Sequence, residues 1–178
     1  MYQLDENNIY KILELFIEYP NKDFSVRGIA RQLKLSHATV LKYIVDLEKL
    51  ILIKKKEATL YPTYFANTES QKYKFYKKNW LIFKITESGI IDYIQKEALP
   101  TSIILFGSGI KATFTEKSDI DIFVESNETK LGLTKYEKKL NRKINLLFEQ
   151  NINNLSKELR NNIINGVILY GFIKINVG

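Results

Sequence analysis

The chain has 178 residues, 45% of them hydrophobic and 26% charged, which is typical of a soluble globular protein with one large or two small domains. It has no cysteine, so disulfides, thiolate metal sites and cysteine nucleophiles are excluded. The formal charge is +7, but the basic excess is spread along the chain and favours a polyanionic partner only weakly. No apolar run is long enough to span a membrane, and the first residues lack the order of a signal peptide. We therefore expect a cytoplasmic protein with no membrane partner.

Residues 1–66 have the pattern of three helices followed by a β-hairpin. Apolar side chains at helical spacing predict the helices, and Ser25 and Ser36 stand where N-caps are expected. Alternating residues around Glu57-Ala58 predict the hairpin. The predicted elements are helices over Asn7–Tyr19, from Ser25 to Leu33 and from His37 to about Lys49, then strands over Leu52–Lys56 and Thr59–Tyr64.

This order of elements, together with the stretch Val26–Ile44, resembles the winged helix-turn-helix family. The resemblance implies that the helix beginning at His37 enters the major groove of DNA and that the hairpin forms a wing along the backbone. The residues it assigns to DNA are Arg27, Arg31, Ser36, His37, Thr39, Lys42, Lys54, Lys55 and Lys56. Winged helices also dock on proteins, and lysines on an edge strand also prevent aggregation, so a protein-docking role stays open.

Residues 67–100 predict a helical connector between two domains. Aromatic residues at helical spacing indicate a helix that packs against a core rather than a base-stacking surface. Thr68 is a candidate cap for this helix. The stretch Thr86–Gly89 predicts a break, and a second helix is expected over Ile90–Leu99, ending before Pro100.

Residues 101–178 alternate strands with helices, which predicts a mixed sheet and an α+β fold for the whole chain. A turn with a short helix is expected over Gly107–Lys117. The other predicted elements are strands over Ser102–Phe106, Ile120–Val124, Lys143–Phe148 and Val167–Ile173 and helices over Leu133–Asn141 and Asn154–Ile164.

The most informative motif is Gly107-Ser108 followed, after ten residues, by Asp119-Ile120-Asp121. Side chains two residues apart in a strand point to the same face, so Asp119 and Asp121 are expected side by side. Two adjacent carboxylates in an apolar strand repel each other, and a divalent cation that also binds phosphates relieves the repulsion. The alternative is a plain turn followed by a solvated strand face.

Over Thr101–Phe172 this motif and the order of elements resemble the DNA polymerase β-like nucleotidyltransferases in their minimal form. The resemblance implies Mg²⁺ (or Mn²⁺) held by Asp119 and Asp121 as the catalytic carboxylates. It also implies an NTP bound as substrate or ligand by Gly107, Ser108 and Ser118, with Lys111 nearby as a candidate phosphate contact.

Active members of that family use a third carboxylate on a neighbouring strand, and Asn145 stands at that position here. Asparagine can coordinate through its carbonyl oxygen but brings no negative charge and cannot act as a base. Glu149 has the right chemistry, but it lies four residues, or about 13 Å, further along the strand. The activity implied by the motif is therefore in question.

Three functional hypotheses follow for a winged helix joined by a connector to a nucleotidyltransferase-like domain. The first is an enzyme that transfers a nucleotidyl group; the residues favour no one acceptor among protein, tRNA, antibiotic and metabolite. The second is a DNA-binding transcriptional regulator whose degenerate C-terminal domain senses a nucleotide or mediates assembly. A role in a toxin–antitoxin pair rests on family analogy alone, and a homodimer stays open.

Overall fold

The computed structural model describes residues 7–57 and 61–174, and the chain divides into two compact units, Met1–Lys77 and Lys78–Gly178. The division falls inside a helix of the predicted connector. Each unit carries its own sheet. Within the described residues, no helix combines the length and the apolar character needed to cross a membrane.

The first unit begins with helices and continues into a small antiparallel sheet. Its described elements before the connector are α1 (Asn8–Glu18), β1 (Phe24–Ser25), α2 (Val26–Leu33), α3 (His37–Lys49), β2 (Ile53–Lys56) and β3 (Thr63–Ala66). The strands lie in the order β1-β3-β2. The three helices predicted for this segment are confirmed.

Both serines predicted as N-caps cap their helices. Ser25 Oγ accepts a hydrogen bond from the Gly28 amide at 3.1 Å, and Ser36 Oγ accepts one from the Thr39 amide at 3.0 Å. Each bond satisfies an amide that the first helical turn leaves unpaired, which contributes about 1 kcal/mol to stability. The caps fix where α2 and α3 begin.

The core of the first unit lies between its helices and β1. The side chains of Ile29 on α2 and of Val40 and Ile44 on α3 are fully buried, whereas Leu35 between the two helices is half-buried. The rings of Phe16 and Phe24 meet edge to face with centroids 5.0 Å apart. This packing holds α3 in place while one of its faces stays exposed.

The second strand of the hairpin lies later than predicted. The sequence predicts it over Thr59–Tyr64, whereas β3 covers Thr63–Ala66; Ala58, Thr59 and Leu60 lie outside the described residues. Pro62 has no amide proton and cannot donate to the ladder with β2, so pairing starts only after it. The register joins Lys56 to Thr63.

The predicted connector forms two helices, α4 (Gln71–Ser88) and α5 (Ile90–Ala98). The predicted break is confirmed: Gly89 lies between them with φ +80°, a conformation that glycine adopts without strain. Thr68 is not the residue next to the helix. Ser70 directly precedes α4, and its Oγ accepts a hydrogen bond from the Tyr73 amide at 3.3 Å.

The second unit contains a four-stranded mixed sheet in the order β6-β5-β4-β7, which confirms the α+β class. Strands β5 and β6 are parallel, and the other pairs are antiparallel. Its elements after α5 are β4 (Ser102–Phe106), α6 (Ser108–Lys111), β5 (Ile120–Val124), α7 (Thr134–Leu140), β6 (Ile144–Phe148), a 3-10 turn (Ile152–Asn154), α8 (Lys157–Ile164) and β7 (Val167–Gly171).

Two predicted boundaries in this unit are wrong. The helix expected over Asn154–Ile164 is split, because Ser156 is extended and caps α8 by accepting from the Leu159 amide. The last strand ends at Gly171 rather than Ile173. Gly171 has φ +72°, and a Cβ there would lie 1.9 Å from the Thr101 carbonyl oxygen.

One face of the sheet packs on α8 and the 3-10 turn. Its buried cluster contains Ile104, Phe123, Ile152 and Ile163, with Leu147 packed against it. Residue alternation puts Asp121 on the same face of β5 as Phe123, two positions earlier along the strand. The aspartates therefore stand beside a rigid core.

Candidate functional site

The two aspartates of the motif lie at the beginning of β5, an inner strand of the second sheet. Asp119 directly precedes the strand and is exposed, whereas Asp121 is half-buried. Because β5 is paired on both sides, its backbone is fixed by two ladders. Asp121 thus projects from an inner strand with two neighbours, and Asp119 from the residue directly before that strand.

Asn145 on the neighbouring strand joins the two carboxylates. The parallel register sets Asn145 opposite Asp121. Its Nδ2 donates to Asp119 Oδ2 at 3.3 Å and to Asp121 Oδ1 at 3.1 Å. An amide group that donates to both carboxylates lessens their repulsion without adding charge. The structure therefore brings Asn145 to the place where the family resemblance implies a third acid.

Glu149 does not take that place. It follows β6, and its Oε1 accepts hydrogen bonds from Asn154 Nδ2 at 2.9 Å and from the Asn151 amide at 3.3 Å. These bonds, above all that from Asn154, lower the pKa of the Glu149 carboxyl. Glu149 is thus engaged around the 3-10 turn, at the opposite end of β6 from Asn145.

The turn after β4 lies next to Asp121, because Phe106 pairs with Asp121 across the ladder. Gly107 has φ +73°, and a Cβ built on it would be 2.4 Å from Asp121 Oδ2. Only glycine allows the carboxylate and the backbone to approach so closely. Ser108 then begins the short helix α6.

Ser118 serves the loop that leads to Asp119. Its Oγ accepts a hydrogen bond from the Thr115 amide at 2.9 Å. Arg142 Nη1 donates to the Ser118 carbonyl at 3.1 Å and also to the Thr115 carbonyl. The Arg142 guanidinium lies 5.0 Å from the centre of the Phe114 ring. Arg142, which the sequence analysis did not single out, therefore fixes the loop that delivers Asp119.

The donor set fits one hard divalent cation. Two carboxylates and an amide that also has a carbonyl oxygen are oxygen ligands of the type that Mg²⁺ prefers together with phosphates. In residues 7–57 and 61–174, no three side chains among His, Cys, Asp and Glu form a group able to hold a metal. The side chains that could hold such a cation are therefore Asp119 and Asp121, with Asn145 beside them.

The residues assigned to DNA fall into two groups on the first unit. Arg27, Arg31, His37 and Lys42 are exposed on α2 and α3. Ser36 Oγ and Thr39 Oγ1 lie 2.7 Å apart in the cap of α3, so both hydroxyls have a structural role.

The three lysines of β2 are exposed, and two of them contact carboxylates. Lys56 Nζ lies 2.7 Å from Asp23 Oδ2, and Lys55 Nζ lies 3.2 Å from Glu57 Oε1. The hydrogen bond to Glu57 raises the pKa of Lys55. Such surface pairs are weak, and a phosphate can replace the carboxylate.

The family described as polymerase beta, nucleotidyltransferase matches residues 88–172. The matched segment is a little under half of the chain and contains the Gly107 turn, both aspartates and Asn145. It supports a nucleotidyltransferase domain in the second unit, as the resemblance over Thr101–Phe172 predicts. No curated protein and no solved structure shows significant similarity to the chain.

Proposed function

We propose that the second unit binds an NTP together with Mg²⁺ or Mn²⁺ and transfers its nucleotidyl group to an acceptor hydroxyl. The observation that carries this proposal is the convergence of Asp119 and Asp121 beside the Gly107 turn, within the segment that matches the nucleotidyltransferase family. Each of these residues has a separate task.

Asp119 and Asp121 hold the cation, which neutralises charge on the phosphate oxygens when it is bound. Gly107 leaves room for the triphosphate, and Ser108 offers its amide and hydroxyl as donors. In the reaction a hydroxyl oxygen attacks the α-phosphorus and the bond to the bridging oxygen breaks. Pyrophosphate leaves, and the hydroxyl proton passes to an aspartate or to water.

A second candidate function is nucleotide sensing without transfer. Asn145 favours it, because an amide in place of a third carboxylate supplies neither charge nor a base. In that case binding of the nucleotide, and not its transfer, is the signal to which a DNA-binding regulator would respond. The two candidates share the nucleotide site and differ only in turnover.

We propose that the first unit is a winged helix that binds DNA. Support comes from the order α1, α2, α3 and hairpin and from the cations exposed on it. In this arrangement α3 enters the major groove with His37 and Lys42, and β2 and β3 form the wing. Arg27, whose guanidinium lies 5.1 Å from the Tyr61 ring centre, then stands ready for a phosphate.

Exposed apolar side chains on α3 favour docking on a protein as the alternative. Leu41 and Val45 are 43% and 39% exposed, one turn apart on α3. Apolar side chains on a recognition helix also contact thymine methyl groups, so this feature is compatible with DNA. The exposed basic residues on α2, α3 and β2 favour DNA as the proposed partner.

Transfer and binding are separated by one experiment with α-labelled NTPs, each offered in turn with Mg²⁺ and a cell extract as the source of acceptors. Covalent label on any acceptor is the result expected for a transferase. Label held by the protein on a filter but released by denaturant supports the sensor. Neither result should be seen with Asp119→Ala/Asp121→Ala, and the absence of both from the unmodified chain contradicts the proposed site.

A further inference from the structure

We propose that Asn145 restricts this site to a single divalent cation, the one that arrives with the nucleotide. The inference rests on the proposed binding of an NTP at Asp119 and Asp121. It concerns how many cations the site holds, which the family match does not determine.

Asn145 makes a hydrogen bond to each of the two aspartates. Its Nδ2 reaches Asp119 Oδ2 at 3.3 Å and Asp121 Oδ1 at 3.1 Å. An amide nitrogen carries two hydrogens and accepts nothing, so it has one hydrogen for each carboxylate. The two bonds offset the repulsion between the aspartates in the absence of a cation.

The number of cations that the site can hold depends on its negatively charged ligands. A cation that arrives with an NTP is coordinated in large part by the negatively charged phosphate oxygens. It therefore needs only one or two carboxylates from the protein. A second cation, about 3.5–4 Å away in two-metal sites, is repelled by the first and depends on further protein carboxylates. Among the described residues, no third carboxylate or histidine joins Asp119 and Asp121.

The position of Asn145 in the sheet allows its role to be tested by substitution. Its register opposite Asp121 is set by the β5–β6 ladder, so a residue at this position faces the same space whatever its side chain. Asn145→Asp therefore supplies the missing carboxylate with almost unchanged shape. Asn145→Ala removes the hydrogen bonds but leaves the charge of the site unchanged.

The test is the number of Mn²⁺ ions bound per nucleotide, measured by equilibrium dialysis of the full chain with the α,β-methylene analogues of the four NTPs. We expect one Mn²⁺ in the unmodified chain and in Asn145→Ala, and two in Asn145→Asp. Asn162→Asp, an exposed position on α8, adds the same charge outside the site and should keep one Mn²⁺.

Two Mn²⁺ ions in the unmodified chain, or one in a folded Asn145→Asp, would overturn the inference. Analogue binding with one Mn²⁺ that Asn145→Asp raises to two supports it. No binding of analogue in any variant would instead contradict the nucleotide site itself. The failure of the inference and the failure of the proposed function are thus different results.

A second measurement, the melting temperature, follows the folding of Asn145→Asp. Without divalent ions, three carboxylates at the site repel one another, so Asn145→Asp should melt several degrees below the unmodified chain. Mn²⁺ should restore most of that loss and should raise the melting temperature of Asn162→Asp no more than that of the unmodified chain. If Asn145→Asp melted as the unmodified chain does without divalent ions, the repulsion argument would be wrong.

Discussion

The site depends on the lack of a side chain at Gly107. The Gly107 turn, with φ +73°, brings the backbone so close to Asp121 that a single methyl group would overlap the carboxylate. The conformation itself is also strained for any residue with a Cβ. Both the position of Asp121 and the shape of the turn therefore require glycine at residue 107.

Gly107→Ala should lower the free energy of unfolding by about 1–3 kcal/mol and displace Asp121, because strain and overlap act together. Urea unfolding followed by fluorescence measures the first effect, and filter binding of labelled NTP measures the second. Gly132→Ala is the matched control, since a Cβ there meets only the Tyr93 hydroxyl at 3.8 Å. Equal losses in the two variants would show that the overlap at Gly107 is not the cause.

At this scale, the sequence predicts Asn145 but not Arg142. The place of Asn145 follows from the resemblance to the nucleotidyltransferase family, which implies a third acid at this position on a neighbouring strand. Arg142 acts on two backbone carbonyls, those of Thr115 and Ser118, more than twenty positions earlier. Every residue has a backbone carbonyl, so no pattern of side chains in the sequence predicts such an interaction.

Among the elements, the hairpin of the first unit carries three consecutive lysines through which the proposed DNA binding can be tested. Strand β2 carries Lys54, Lys55 and Lys56 in a row, and all three are exposed. The pairs with Asp23 and Glu57 hold two of these lysines at the surface of the hairpin. DNA phosphates can compete for both lysines because exposed pairs contribute little to stability.

Replacing Lys54, Lys55 and Lys56 by alanine should weaken DNA binding and flatten its dependence on salt. The log–log slope should fall by about 0.9 for each phosphate that the variant no longer neutralises. Fluorescence anisotropy with duplex DNA at several salt concentrations gives the slope. Lys130, Lys135 and Lys138, exposed on the second unit, are replaced in the control to remove the same charge. A slope that the wing variant leaves unchanged would argue against an interaction between the wing and the DNA.

The elements themselves are largely predictable, and the misses have local causes. Helices α1 to α5 follow from apolar spacing, and the predicted serine caps fix where α2 and α3 begin. The sequence predicts strand β3 too early, because alternation continues through Pro62 although proline cannot pair there. The region before α8 reads as part of one helix, because its composition does not show that Ser156 is extended.

At the scale of the whole molecule, the chain has two units whose boundary falls between Lys77 and Lys78, inside α4. The boundaries predicted from the sequence lie near residues 66 and 100, because composition and helix breaks mark those places. A boundary within a continuous helix has no such mark. The nucleotidyltransferase match begins at residue 88 and therefore lies wholly in the second unit.

A single tryptophan allows the second unit to be followed by itself. Trp80 is the only tryptophan of the chain and lies in the second unit, where its ring stacks on Phe114 with centroids 6.3 Å apart. Its fluorescence should change when this packing is disrupted. Thermal unfolding followed at Trp80 thus reports on the unit that carries Asp119 and Asp121.

The most direct test of the proposed nucleotide site is the melting temperature at Trp80 with Mg²⁺ and each NTP. At about 100 times the Kd, binding contributes ~2.7 kcal/mol, which should raise the midpoint by roughly 5–10 °C for at least one NTP. Asp119→Ala/Asp121→Ala should abolish the rise, whereas Asp92→Asn/Glu97→Gln, exposed on α5, should keep it. No rise with any NTP, or an equal rise in the Asp119→Ala/Asp121→Ala variant, would contradict a nucleotide site at these aspartates.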